Sequence, residues 1–168
     1  MYELEDHEVL SSAPYLERLN APTPWSTRMM PHHRNMVRSQ CKVLESAGAV
    51  TARHALTVRL SPADGDGARL QVALKPLLTD LAGRPGLVGA HLLRHQAPAI
   101  ATTTEQKIRG GDTYADWVLI ATGYDAAVVE QLAHDDLSDA ALVGMGAAAQ
   151  PVHGFFQIAY SATPGDLS

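Results

Sequence analysis

His32, His33, Asn35, Arg38 and Cys41 fall close together in the run WSTRMMPHHRNMVRSQCKV, from Trp25 to Val43. Histidine can move a proton, arginine can hold a developing oxyanion, and cysteine can attack or bind a metal. A metal is the least supported of these. His32 and His33 are adjacent and follow Pro31, so in an extended chain they point in different directions. A zinc-type site would also need a carboxylate or third histidine that the neighbouring residues do not supply. The expected site is therefore metal-free and requires no cofactor. In it His33, Asn35 and Arg38 are the first candidates for catalysis, with Trp25, Met36 and Gln40 lining the ligand.

Period-two alternation extends the candidate list. Arg34 to Ser46 reads as a strand in which Met36, Arg38, Gln40 and Lys42 oppose Val37, Cys41 and Val43, so Cys41 reads as a small buried hydrophobe. In TARHALTVRL, His54, Leu56, Val58 and Leu60 share one face, against Arg53, Thr57 and Arg59. In HGFFQIAYSA, His153, Phe155 and Gln157 alternate against Phe156, Ile158 and Tyr160. Arg59 and His153 are second-rank catalytic candidates, and Gln157 is a further ligand contact. His91 and His95 share a strand face but sit about 13 Å apart, too far to hold one ion between them. The Gly-rich GDGAR lacks the lysine of a phosphate loop and reads as a turn.

These strands belong to an alternating series. The strand TARHALTVRL is followed by the helix ARLQVALKPLLTDLAG, with a kink or break expected at Pro76. The strand GLVGAHLLRHQ comes next. APAIATTTEQKIRGGDT is then read as a surface loop or extended hairpin, and YADWVLIATG as a strand. DAAVVEQLAHDDL reads as a helix capped by Asp125, and HGFFQIAYSA as the last strand. The order β-α-β-β-α-β is the split βαβ arrangement of a ferredoxin-like module. Upstream, MYELEDHEVLSSAPYLERL reads as a short strand and a helix carrying Val9, Leu10, Leu16 and Leu19. With the following strand it matches the second half of the same module. The expected organisation is α+β, with residues 1–48 a partial repeat and 49–168 a complete ferredoxin-like module.

RPGLVGAHLLRHQ, ADWVLIATGYD and HGFFQIAYS resemble the dimeric α/β-barrel superfamily, which includes EthD-like, stress-responsive-barrel and antibiotic-biosynthesis-monooxygenase-like proteins. The resemblance covers about residues 51–162, with 1–46 similar to a partial first repeat. YELEDHEVLSSAPYLERLNAPTPWSTRMMPHHRNMVR is similar to the middle of bacterial proteins with two fused repeats. That likeness implies a shortened start at Met1, with the missing part of the barrel coming from elsewhere. It further implies antiparallel sheets that close into an α/β barrel around a small-molecule pocket, and a homodimer.

Composition sets outer bounds. The 168 residues carry a net charge of −5, with 18% charged and 46% hydrophobic residues. That is the profile of a folded domain without a basic face for nucleic acid. One cysteine excludes an internal disulfide and fits a reducing cytoplasm, and no apolar run has the roughly 20 residues of a membrane span. No catalytic signature decides between an enzyme and a binding module. Three readings follow: a monooxygenase-type or degradative enzyme for an aromatic or carbonyl compound, a non-catalytic ligand-binding or dimerisation module, and haem binding on a barrel-facing histidine.

Overall fold

The computed structural model describes residues 4–110 and 112–162. Its strands are β1 (Cys41–Gly48), β2 (His54–Leu60), β3 (Leu87–His95), β4 (Trp117–Gly123) and β5 (Val152–Gln157). They form one five-stranded sheet in the order β1-β3-β4-β2-β5. β2 pairs antiparallel with β4 and β5, and β3 with β4. Apart from β1, this is the strand order of a ferredoxin-like module, and the fold is α+β. β1 joins the module's own sheet at the edge beside β3.

The helices are α1 (Ala13–Asn20), α2 (Pro24–Met29), α3 (Gly67–Gly83), α4 (Thr104–Arg109), α5 (Ala126–Gln131) and α6 (Asp139–Met145). The described residues gather into two compact units, one within 1–42 and 95–115, the other within 43–94 and 116–168. In the second unit, Leu70, Leu74, Leu78 and Leu81 of α3 repeat at helical spacing. They bury with Val129, Leu132, Leu137 and Leu142 against Leu56, Val58, Leu92 and Leu119 of the sheet. Each fully buried leucine contributes roughly 1.5–3 kcal/mol of transfer free energy, so this helix-packed face is what holds the module together.

Several local expectations are corrected. α3 runs through Pro76 as one helix. Pro76 and Val72, whose carbonyl loses its partner to the proline, are both exposed, so water satisfies the freed group. The helix after Asp125 ends at Gln131, and a separate α6 follows, capped by Ser138. Asp125 accepts from the backbone N–H of Ala127 and Val128, the expected cap. The long 96–115 connection contains α4, started by a reciprocal capping box between Thr103 and Gln106.

The first unit is built from short elements. A 3-10 turn at His7–Ser11 precedes α1, and Leu10, Leu19 and Met30 are its buried apolar residues, with Ala115 from the connection. The expected opening strand falls partly on residues 1–3, outside the described residues, and residues 4–6 are not strand. The strand expected from Arg34 begins only at Cys41. Before it the chain is irregular, held to the 96–115 connection by an isolated bridge between Val37 and Thr113. Asn20 Oδ1 accepts from the Thr104 N–H at 3.0 Å, a further tie inside this unit.

Candidate functional site

The sequence candidates divide between the two units. In the first, Trp25 is 64% exposed on α2. His33 and Asn35 are exposed, and Asn35 adopts a left-handed backbone with φ 54. Met36, Arg38 and Gln40 are half-buried, and their backbones serve the connection: Met36 O accepts from Thr113 N, Arg38 N donates to Thr113 O, and Gln40 O accepts from Gln96 N. The Arg38 guanidinium donates to the Tyr15 hydroxyl at 3.3 Å. No hydrogen bond or ion pair among the described residues links these six side chains to one another.

In the second unit, sheet register decides which side each candidate faces. His153, Phe155 and Gln157 oppose Val58, Leu56 and His54, so they share the helix-packed face. There the His153 Nε2–H donates to Leu137 O at 2.7 Å, and its Nδ1 lies 3.6 Å from Asp139. His153 thereby ties the approach to α6 to the edge strand. Arg59 lies on the opposite face. The two second-rank candidates therefore stand on opposite faces of the sheet.

The face opposite the helices has a regular layout. One cross-strand row reads Leu93, Val118, Arg59, Val152. The next reads His91, Ile120, Thr57, Gly154, and a third reads Thr122, Ala55, Phe156. Neighbouring strands lie about 4.8 Å apart, which puts His91 and Thr57 about 10 Å apart with Ile120 between them. Ile120 is 8% and His91 4% exposed, so the middle of this face is covered within the chain, while Thr57 and Arg59 are half-buried. Among the described residues Arg59 has no carboxylate partner. Phe156 and Val152 leave 54% and 48% of their surface exposed.

His91 is the group that sequence reasoning left without an assigned face. It is 4% exposed, shares a 2.8 Å hydrogen bond between Nδ1 and Ser46 Oγ, and its Nε2 is buried without a partner. Ser46 was not singled out in the sequence, because a serine in an edge strand has no pattern of its own. Glu45, the residue before it, is held by Gln71 at 3.1 Å and Lys75 at 3.0 Å, both on α3. The Lys75 ammonium, helped by Gln71, keeps the Glu45 carboxyl below its ordinary value. Glu45 thus faces the helices, and Ser46 projects to the other side.

Other clusters are occupied by structure. A shallow groove of about 490 Å³ runs over Leu87, Val128 and Leu132 beside Arg84, Asp135 and Asp136. Its Arg84 already pairs with Asp136 at 2.5 Å and Asp80 at 2.6 Å, and it contains no proton-transfer group of histidine type. Burial pushes the Cys41 thiol up to about 11, which keeps it protonated and unreactive near neutrality. Among the described residues no three His, Cys, Asp or Glu side chains are grouped so as to hold a metal ion, and no helix is long and apolar enough to cross a membrane.

No family model and no curated protein matches the chain. A solved structure described as a crystal structure study of an anthrone oxidase-like protein is similar, at 16% identity and a TM-score of 0.54. The alignment covers 89% of this chain and 68% of the other, and the likeness is one of fold.

Proposed function

We propose that this chain forms part of an α/β barrel in which the sheet face opposite the helices lines a pocket for an aromatic or carbonyl compound, with monooxygenase-type or degradative chemistry. Residues 1–48 are then a partial repeat and 49–168 the complete module. A partner sheet, from a second copy in a homodimer, closes the pocket. The observation that carries the reading is the placement of Arg59, Thr57 and His91 around Ile120, on a face whose other members are largely apolar. The apolar residues take the ring. Arg59 holds the oxygen as it becomes anionic, and His91 accepts the proton. An anthrone is a fused-ring aromatic ketone, so the name of the structural neighbour is compatible with this substrate class.

Calorimetric titration with anthrone and smaller phenolic ketones tests the reading. Binding in the micromolar range, weakened at least tenfold by Arg59→Ala without a change in melting temperature, is the expected result. A second reading, a non-catalytic dimerisation module, is favoured by the exposure of Phe156 and Val152 on this face. Dimers in light scattering that bind no compound of this class would establish that second reading and reject the first.

A further inference from the structure

We propose that Ser46 is a positioning residue that fixes His91 as the tautomer protonated on Nδ1, leaving the Nε2 lone pair as the proton acceptor for a phenol or enolisable ketone. This rests on the reading of the site given above. Three observations carry it. The Ser46 hydroxyl and His91 Nδ1 are 2.8 Å apart. His91 is 4% exposed, and its Nε2 is buried with no partner among the described residues. Ser46 itself is exposed, so its own hydroxyl proton can be given to water.

The two neutral tautomers differ in what they leave unsatisfied. If Ser46 donated to Nδ1, the ring proton would sit on Nε2, and a buried N–H would have no acceptor. If Nδ1–H donates to Ser46 Oγ, only a lone pair is unpaired on Nε2, while the serine proton goes to solvent. Buried orphan N–H groups are the rarer of the two cases in folded proteins, so the second arrangement is favoured. An imidazole whose other nitrogen is fixed in this way is a preset base.

The placement of Ser46 is imposed from outside the pair. Glu45 is anchored to Gln71 and Lys75 of α3, which turns the following side chain to the other side of β1. Across the ladder, His91 is registered against Ile120, and Ile120 against Thr57. Because Ile120 is 8% and His91 4% exposed, a ligand reaches Nε2 only when the cover over Ile120 opens; its acidic O–H or α C–H bond then breaks, the N–H bond forms at Nε2, and the electron pair stays on the ligand as an enolate or phenolate. His91 becomes an imidazolium, and Arg59 compensates the new negative charge. No oxidant or reductant enters this step.

Long-range proton–nitrogen correlation spectra of 15N-histidine-labelled protein read the tautomer directly. The wild-type protein is expected to show His91 with a protonated Nδ1 and a bare Nε2. Ser46→Ala should shift both nitrogens toward tautomer-averaged positions, and Ser46→Thr should retain the wild-type pattern. A wild-type His91 protonated on Nε2 overturns the proposal whether or not any variant folds, as does an Ser46→Ala spectrum identical to wild type. The second arm follows the absorbance of a bound phenolic ketone. Ser46→Ala should lower the ionised fraction at least fivefold with affinity for the neutral form retained, and binding without ionisation in the wild type overturns the proton-acceptor role. Failure of every such compound to bind, with the expected tautomer present, rejects the underlying functional reading and leaves the Ser46–His91 assignment as the surviving part.

Discussion

Leu56 and Thr57 are consecutive in β2 and face opposite sides of one sheet: Leu56 is 2% exposed in the helix-packed core, while Thr57 stands in the row with Ile120 and His91. Their substitutions should therefore separate stability from ligand binding. Leu56→Ala leaves a cavity in the helix-packed core and is expected to cost about 2–5 kcal/mol in chemical denaturation. Thr57→Val removes a hydroxyl whose hydrogen bond to Gly154 O is long, at 3.4 Å, and should cost less than about 1 kcal/mol. If the second face is the binding wall, Thr57→Val weakens binding of a phenolic ketone severalfold with the denaturation midpoint nearly unchanged.

The ion pair at the end of α3 makes a pH prediction. Arg84 donates to Asp136 at 2.5 Å and also bonds Asp80, and the guanidinium holds the Asp136 carboxyl below its usual value. Because the folded-state value is depressed, the stabilisation is fully present above the ordinary aspartate range near about 4 and is lost as pH falls through the folded value. The pair is about a third exposed, so Asp136→Asn should lower stability at pH 7 by only about 0.5–1 kcal/mol. Thermal melts of both proteins should converge as the pH falls through the folded value of Asp136, and a gap that persists once that carboxyl is protonated would contradict the assignment.

The module at 54–157 was legible because its signals come from burial. Leu56, Val58 and Leu60 alternate since one side of β2 packs under helices, and Leu70, Leu74, Leu78 and Leu81 recur because α3 presents one stripe to that side. The run before Cys41 misled for the complementary reason. Met36, Arg38 and Gln40 alternate in type as a strand would, yet this backbone bonds mainly to residues 96–113, which no local pattern reveals. Of the site candidates, Arg59 stands opposite the apolar set of β2, as its alternation implied. The same alternation did not give the side His153 faces, because β5 is an edge strand whose helix side admits a histidine bonded to Leu137 O. Ser46 was invisible, since its contact with His91 runs across the ladder and leaves no local pattern.

Cys41 gives a chemical test of burial at the start of β1. With its thiol pushed up to about 11, the thiolate fraction at pH 8 is roughly a hundredfold below that of an exposed cysteine near 8.5. Alkylation by iodoacetamide should be slower by about that factor and rise about tenfold per pH unit to the region of 11. In denaturant the rate should return to that of a free thiol. Fast labelling of the native protein at pH 7 would place Cys41 at the surface and reopen it as a nucleophile.

Gly89 decides whether β1 can reach the sheet at all. A Cβ there would lie 2.3 Å from Ala49 O and 2.9 Å from Ala47 O, both backbone atoms with little freedom to withdraw. The facing Gly48 has φ +72 and would place its own Cβ 2.1 Å from Val88 O. Close approach without side chains is thus what lets β1 dock beside β3 and carry Ser46 to His91. Gly89→Ala should cost at least about 2 kcal/mol through this overpacking. Gly83→Ala, at the end of α3 with open space around its Cβ position, should be neutral within about 0.5 kcal/mol. Hydrogen exchange should show the Gly89 variant losing protection first along β1, and its His91 nitrogens should then match those of Ser46→Ala. A Gly89→Ala protein as stable as wild type, with β1 amides still protected, would show that the edge strand docks by some other contact.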